Sequence, residues 1–221
     1  MSVDQAVAKL NPLLTRVNPE YMVSELLYSA LTRLGVDMSV EPDLAASWSG
    51  SSDLTEWTFV LRKGVKFHDG SAMTAKDVVA TFEAILDAKT ASPARRNVGP
   101  ITKVTAKDDH TVVFGLSAPF ADLPVTLAYT NAKIVPAAVL KSGMAALDRA
   151  ANGTGPFKLV SFEGDRKIVV ARNEAYYDKA RPYLDRIEIL VYPDSTAEGS
   201  ALISGDTDLI STLPPTEFDI D

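Results

Sequence analysis

The side chains that could carry out catalysis or hold a metal are few in this sequence, and they are scattered along it. The two histidines, His68 and His110, each stand alone beside a turn, and neither belongs to an HExxH pattern or a Cys/His cluster. The chain has no cysteine, so it has no thiol nucleophile, thiolate ligand or disulfide. A GxSxG turn that would present a catalytic serine does not occur either. These residues predict neither a metal centre nor a nucleophilic enzyme.

Two short motifs and the many acids suggest chemistry but favour structural roles. Gly153-Thr154-Gly155 resembles a phosphate loop, yet Pro156 and a predicted strand follow where a helix N-terminus is required. Asp206-Thr207-Asp208 lacks the later Asp, Gly and Glu of a calcium loop. The 29 carboxylates allow a glycosidase pair, but none stands on a recognisable site. We therefore interpret these motifs as turns and expect no cofactor.

Composition narrows the class of protein. With 221 residues, of which 46% are hydrophobic, the chain can bury a core as one large domain or two small ones. Its net charge of −7 argues against nucleic acid as a partner, because phosphate binding requires clustered Lys and Arg. No apolar run in the sequence is long enough to span a bilayer, and its first residues do not show the charged-then-apolar pattern of a leader.

The elements that must position any site are clearest between Leu44 and Leu86. Alternation over Trp57–Arg62 predicts a strand, and Val65 and Phe67 resume its apolar face after Gly64, which predicts a β-hairpin. Asp69-Gly70 marks a second turn. Thr74, with Asp77 three residues later, predicts a weak capping box for a helix that ends near Leu86.

Helices and strands alternate without a strict repeat along the rest of the chain. Asn18-Pro19-Glu20 predicts a helix start with Asn18 as cap, and its apolar stripe continues to a stop at Gly35. A capping box from Ser195 to Glu198 predicts a helix over 196–204 that ends at Gly205. The class is therefore α/β or mixed α+β. The other predicted strands are 101–106, 111–116, 157–162, 167–172, 187–191 and 208–211, and the other predicted helices are 122–129, 137–141 and 144–151.

A series of motifs in this order resembles the family 5 extracellular solute-binding proteins, the peptide/nickel-binding receptors of ABC importers. The motifs are LAASW, the run of Asp53 and Trp57-Thr58-Phe59, LRKGVKFHDG, TAKDVVATF, GTGPF, RNEAYYD and SALISGDTDLI. The resemblance implies a periplasmic-binding-protein-like type II lobe. Residues 1–43 and 154–221 would build a mixed sheet with helices, and 44–153 would form an inserted α+β subdomain. The second lobe would follow Asp221 and is absent.

The same resemblance implies a binding function in a cleft between lobes, without a catalytic group. Four loops would face that cleft, and in chain order they cover residues 15–18, 95–98, 129–131 and 211–212. Each arginine in them is expected either to meet a carboxylate bidentately or to remain a solvated surface residue, and Tyr129 either packs or faces the ligand. The candidate ligand-binding residues are Arg16, Val17, Asn18, Arg95, Arg96, Asn97, Tyr129, Asn131, Ser211 and Thr212.

The expected partners are a peptide or similar small solute and the membrane permease subunits of an ABC importer. The expected location is periplasmic or extracellular, with Met1-Ser2-Val3 interpreted as the start of a chain whose signal peptide has been removed. Without a second lobe, we expect weak ligand binding or none, an exposed apolar patch from Leu213 to Ile220, and self-association through it. Two alternatives stay open: an extracytoplasmic hydrolase, and a sensor or chaperone module on the same scaffold.

Overall fold

The computed structural model describes residues 1–212, and the predicted patch from Leu213 to Ile220 lies outside them. The α-helices in this range are α1 (Asn18–Leu27), α2 (Ala75–Leu86), α3 (Leu123–Thr126), α4 (Ala137–Ser142) and α5 (Ser195–Ser204). The strands are β1 (Ser2–Val3), β2 (Thr32–Leu34), β3 (Val40–Pro42), β4 (Ala45–Gly50), β5 (Glu56–Leu61), β6 (Ile101–Asp108), β7 (Thr111–Leu116), β8 (Phe157–Glu163), β9 (Lys167–Arg172) and β10 (Arg186–Val191). Single 3₁₀ turns cover Ala88–Thr90, Pro93–Arg96, Thr130–Ala132 and Met144–Asp148.

A mixed four-stranded sheet joins the start of the chain to its last third. Its strand order is β1-β10-β9-β8; β1 runs parallel to β10, and the other pairs are antiparallel. Ile168, Val170 and Ile189 are fully buried on it, and α1 packs against β8. The hairpin predicted over 157–172 and the strand predicted near 187–191 are confirmed.

A second four-stranded sheet, entirely antiparallel, has the order β4-β5-β7-β6. The alternation predicted for β5 is confirmed, since Trp57, Phe59 and Leu61 are buried. Helix α2 covers β6 and β7, and the ring of Phe114 lies 5.3 Å from that of Phe59 and 5.0 Å from that of Phe82. These edge-to-face contacts join the helix to the sheet.

The hairpin predicted from β5 through Gly64 to Val65 and Phe67 is wrong. β5 pairs with β4 and β7, and residues 65–67 instead face 71–73 across the Asp69-Gly70 turn. The backbone N–H of Phe67 donates to the carbonyl of Ser71 at 2.9 Å. Apolar spacing around a turn fixes which face a residue occupies, but it does not fix the pairing partner.

The helix predicted to run from Asn18 to Gly35 is too long. α1 ends at Leu27, and the chain continues extended through Tyr28 into β2. Tyr28, Ala30 and Leu31 are at most 1% exposed, and the backbone of this segment bonds to residues 43–45 and 134. In a segment that is buried on every side, the apolar residues do not follow one face. Their spacing therefore does not distinguish an extended chain from a helix.

The predicted caps and two other short elements also differ in part. Asp77 accepts from the backbone N–H of Thr74 at 2.8 Å, which agrees with the prediction for α2. Val17, not Asn18, precedes α1, and Asp194, not Ser195, caps α5 by accepting from Ala197 N–H at 2.8 Å. Residues 208–211 form no strand, and the third predicted short helix is a 3₁₀ turn.

The segment from 44 to 153 leaves and rejoins the rest of the chain at neighbouring points. The backbone N–H of Leu44 donates to Ala30 at 3.0 Å, and that of Gly155 donates to Leu27 at 3.1 Å. A Cβ at Gly155 would overlap the backbone of Leu27, and one at Gly153 would overlap the Leu27 carbonyl oxygen. The GTG motif is therefore a place where two backbones touch, in agreement with its interpretation as a structural turn.

Candidate functional site

A concavity of about 720 Å³ lies between the loop that leads into α1 and the loop that follows α2. We call it the arginine cavity. It combines the first and second of the four loops expected to carry ligand contacts. Its lining residues are Arg16, Ala88, Ala91, Ser92, Pro93, Arg95, Arg96 and Asn97.

The loop after α2 is shaped by two consecutive 3₁₀ turns. Asp87 starts the first by accepting from the backbone N–H of Lys89 at 2.9 Å, and Pro93 opens the second. Between them Ala91 adopts a left-handed conformation with φ 53°, which reverses the chain. Ala94 is fully buried and anchors the second turn, so Arg95 and Arg96 remain exposed on it.

Arg16 connects this loop to the start of α1. Its Nη2 donates to the carbonyl of Ala91 at 2.9 Å, while its backbone N–H donates to Glu20 Oε2, also at 2.9 Å. Glu20 lies in the first turn of α1 and is 5% exposed. One bond therefore fixes the backbone of Arg16, and the other fixes its guanidinium at the rim of the cavity. The remaining N–H groups of the guanidinium are available to solvent or a ligand.

A second concavity, of about 460 Å³, shares Arg16 with the first. We call it the Asp4 concavity. It brings the first predicted loop next to the fourth, because Thr212 lies opposite Val17 and Asn18 in its lining. The lining residues are Asp4, Gln5, Arg16, Val17, Asn18, Pro19 and Thr212. The two concavities meet at Arg16 and form one extended polar surface.

The third predicted loop does not contribute to either lining. Asn131 is fully buried, and its Nδ2 donates to the carbonyl of Pro12 at 2.8 Å and to Thr15 Oγ1 at 2.7 Å. Tyr129 is half-buried and packs against the hydrophobic core; its proximity adds to burial in raising the pKa of Tyr21. In this structure Asn131 has no exposed surface for a ligand; it holds the loop that ends at Arg16 instead.

Ser211, the other residue expected from the fourth loop, is tied to a buried acid that the sequence interpretation missed. Glu198 is fully buried, and its Oε1 accepts from Ser211 N–H at 2.7 Å and from Ser2 Oγ at 3.0 Å. Glu198 was expected to cap its own helix. An acid three residues after Ser or Thr predicts a capping box. This local spacing does not show that a strand distant in the sequence can bind the same carboxylate instead.

A second buried acid lies away from the concavities and links residues that are far apart in the sequence. Asp43 is 5% exposed; it accepts from the backbone N–H of Ala30 at 3.1 Å and from the hydroxyl of Tyr177. Burial raises the pKa of Asp43, and burial together with Asp43 raises the pKa of Tyr177 well above its usual range. Arg62 lies 5.7 Å from the centre of the Tyr177 ring. The pair has no opening to either concavity, so we interpret it as structural.

Neither metal binding nor membrane insertion has support in the described part of the chain. Among residues 1–212, no group of three or more His, Asp or Glu side chains is placed to hold a metal ion. In the same range, no helix combines the length and hydrophobicity needed to cross a bilayer. The arrangement at Arg16 offers hydrogen-bond donors and positive charge, which suit recognition of a polar ligand.

Solved structures similar to this chain include periplasmic binding proteins. The binding protein AgaA of A. tumefaciens R10, in complex with agropinic acid, has a TM-score of 0.92 and 34% identity over 96% of this chain and 43% of its own. The ABC transporter-associated periplasmic binding protein DppA from Helicobacter pylori, in complex with a peptide, has a TM-score of 0.86 and 27% identity over 96% of this chain and 46% of its own.

The family model for bacterial extracellular solute-binding proteins, family 5 Middle, matches residues 39–220, and the chain therefore belongs to this family. Among curated relatives, the probable D,D-dipeptide-binding periplasmic protein of Escherichia coli K12 is 34% identical over 93% of this chain. The chain covers 41% of that protein and 42% of a periplasmic oligopeptide-binding protein of Salmonella typhimurium. It thus spans about two fifths of the length of these relatives.

Proposed function

We propose that this chain is one lobe of the substrate-binding component of an ABC importer. A peptide or similar small solute would lie across the arginine cavity and the Asp4 concavity, and a membrane permease would receive it. The observation that carries this proposal is the meeting of the two concavities at Arg16, at the ends of loops held by a rigid scaffold. Similar proteins support the ligand class, since two are described as periplasmic proteins that bind a D,D-dipeptide and oligopeptides, and the solved structure of a third contains agropinic acid.

We select the proposed ligand contacts on this lobe by two criteria: the residue lines one of the two concavities, and it is not buried. They exclude Asn131, which is buried, and keep the exposed or half-buried predicted residues that line a concavity. A function as a receptor requires no nucleophile, and we propose that the chain is not an enzyme. The contacts are Arg16, Val17, Asn18, Arg95, Arg96, Asn97 and Thr212.

We also propose the division of the chain and its location. Residues 1–43 and 154–221 would form the first part, and 44–153 an inserted subdomain, a division supported by the confinement of the antiparallel sheet to 45–116. The working location would be periplasmic or extracellular, as for relatives described in those words.

The experiment compares this chain with the longer protein encoded by its complete gene. Isothermal titration with dipeptides, oligopeptides and opine acids should give submicromolar binding for at least one ligand by the longer protein. For the chain alone we expect affinity at least about a hundredfold lower, since one cleft wall is missing. Mass spectrometry of each mixture should recover the ligand unchanged. Absence of binding by the longer protein, or hydrolysis of the ligand, would contradict the proposal.

A further inference from the structure

The arginines of this chain fall into three groups according to what their guanidinium groups contact. Residues 1–212 contain ten arginines, of which five form ion pairs with carboxylates: Arg33, Arg166, Arg172, Arg181 and Arg186. Two more lie over aromatic rings, Arg62 over Tyr177 and Arg149 over Phe162. The remaining three all line the arginine cavity: Arg16, Arg95 and Arg96.

A shortage of acids does not explain this concentration of positive charge. The chain carries 29 carboxylates against 22 lysines and arginines, yet no carboxylate among residues 1–212 lines the arginine cavity. Within the described residues, none of the three guanidiniums forms an ion pair. Like charges placed together repel one another, and a bound anion would offset that repulsion.

A neutral hydrogen-bond donor in the arginine cavity also favours an anionic ligand. Ser92 is 5% exposed and lines the cavity, and its hydroxyl has no hydrogen-bond partner in the described part of the chain. The carbonyl of Ala91 orients Arg16 by accepting from Nη2 at 2.9 Å. The cavity thus combines a pre-oriented guanidinium and a buried hydroxyl without a partner, a combination suited to an acceptor that brings negative charge.

We propose that the arginine cavity binds a carboxylate of the solute, so that the ligand lies with its anionic end toward the loop after α2. This inference rests on the proposed function and deepens it. The planar guanidinium presents paired N–H groups that match the two oxygens of a carboxylate. Among the described residues that line the adjoining Asp4 concavity, Asp4 is the one acid, and this concavity would accommodate the neutral or cationic remainder of the ligand.

The test uses the 221-residue chain and a matched pair of probes, N-acetyl-dialanine and its C-terminal amide. Arginine Nε–H resonances are followed by NMR during titration at low ionic strength, up to about 50 mM probe. The carboxylate form should shift the Arg16, Arg95 and Arg96 resonances, and the amide should not. Arg95→Gln/Arg96→Gln should weaken carboxylate binding about tenfold.

A control double variant changes the net charge equally at exposed positions elsewhere. Lys76→Gln/Arg166→Gln removes two side chains that are 78% and 83% exposed, and it should leave carboxylate binding unchanged. Three results would overturn the inference: equal shifts with the amide, an equal loss in the control variant, or no shift at the highest concentration. A neutral solute captured by the longer protein would also overturn it while leaving the importer function standing.

Discussion

His68 shows how a single polar side chain can connect two distant turns. Its Nε2 lies 3.3 Å from the carbonyl of Gly155, and its Nδ1 accepts from the backbone N–H of Gly153 at 3.4 Å. Both contacts fit one neutral tautomer, because a proton on Nδ1 would face another N–H group. Burial lowers the pKa of His68 to about 4. The imidazole is therefore a neutral structural bridge, close to the turn-flanking role expected from its sequence context.

This bridge predicts a pH-dependent stability. The unfolded chain takes up a proton on His68 below about pH 6.5 and the folded chain only near pH 4, so the free energy of unfolding falls as the pH drops through that window. Between about pH 7.5 and about pH 5.5 the loss due to His68 should be about 1 kcal/mol. Urea unfolding of His68→Gln should lack this component. His110→Gln, the matched control, should keep it; an identical loss in both variants would refute the assignment.

Asn131 predicts an effect at the site from a residue that does not line it. Asn131→Ala would remove the hydrogen bonds to Pro12 and Thr15 that hold the loop before Arg16. We expect a loss of about 1–3 kcal/mol in the free energy of unfolding, since buried partners lose their bonds. Asn97→Ala, at an exposed position, should change stability by less than about 0.5 kcal/mol. Comparable losses in chemical unfolding would contradict the structural role of Asn131.

The sequence predicted candidate polar residues on several loops, and the structure shows which of them lie together. The prediction placed Arg16, Arg95 and Arg96 on separate loops that the fold brings into one cavity. It also placed Asn131 among the ligand contacts, although this residue is fully buried. A polar side chain in a loop requires a partner, but its local sequence does not say whether the partner is solvent, ligand or the chain itself. Ser92 was missed for the same reason.

At the scale of elements, α2 depends on one acid that serves two helices. Asp77 accepts from Thr74 N–H at the start of α2 with one oxygen and from Ala137 N–H at the start of α4 with the other, at 2.8 and 2.9 Å. The carboxylate is also favourably placed at a helix N-terminus. The position of α4 over α2 therefore follows in part from a capping residue.

Asp77→Ala should accordingly cost more than the loss of an ordinary cap. We expect about 2 kcal/mol, because two partly buried backbone donors lose their acceptor. Glu83→Ala lies on the exposed side of the same helix and should change stability by less than about 0.5 kcal/mol. Denaturant unfolding followed by circular dichroism measures both variants. A cost below about 0.5 kcal/mol for Asp77→Ala would rule out the proposed connection.

Elements with one buried face were predicted well, and fully buried segments were not. The alternation in β5 and β7 gave their positions, because each strand turns one face to the core. The run through Tyr28, Ala30 and Leu31 was assigned to a helix, although it is extended. Its conformation is set by bonds to residues 43–45, which no local pattern encodes.

At the scale of the whole molecule, an apolar face remains open near the end of the described chain. Leu184, Ile203 and Leu209 are 59%, 73% and 57% exposed, and a concavity of about 590 Å³ includes Leu184 and Leu209. We expect concentration-dependent self-association through this region. Sedimentation velocity over a hundredfold range of concentration, about 1 to 100 μM, should detect it. Leu184→Glu/Leu209→Glu should abolish it, and a strict monomer throughout would contradict the expectation.

The neighbouring anchor points of Leu44 and Gly155 have a consequence for engineering. Because both amides bond within residues 27–30, the intervening hundred-odd residues begin and end almost side by side. A short glycine-rich splice from position 44 to position 155 would span that gap without stretching either flank. The mixed sheet and α1 are then candidates for a minimal scaffold, into which unrelated modules could be grafted between the same two points.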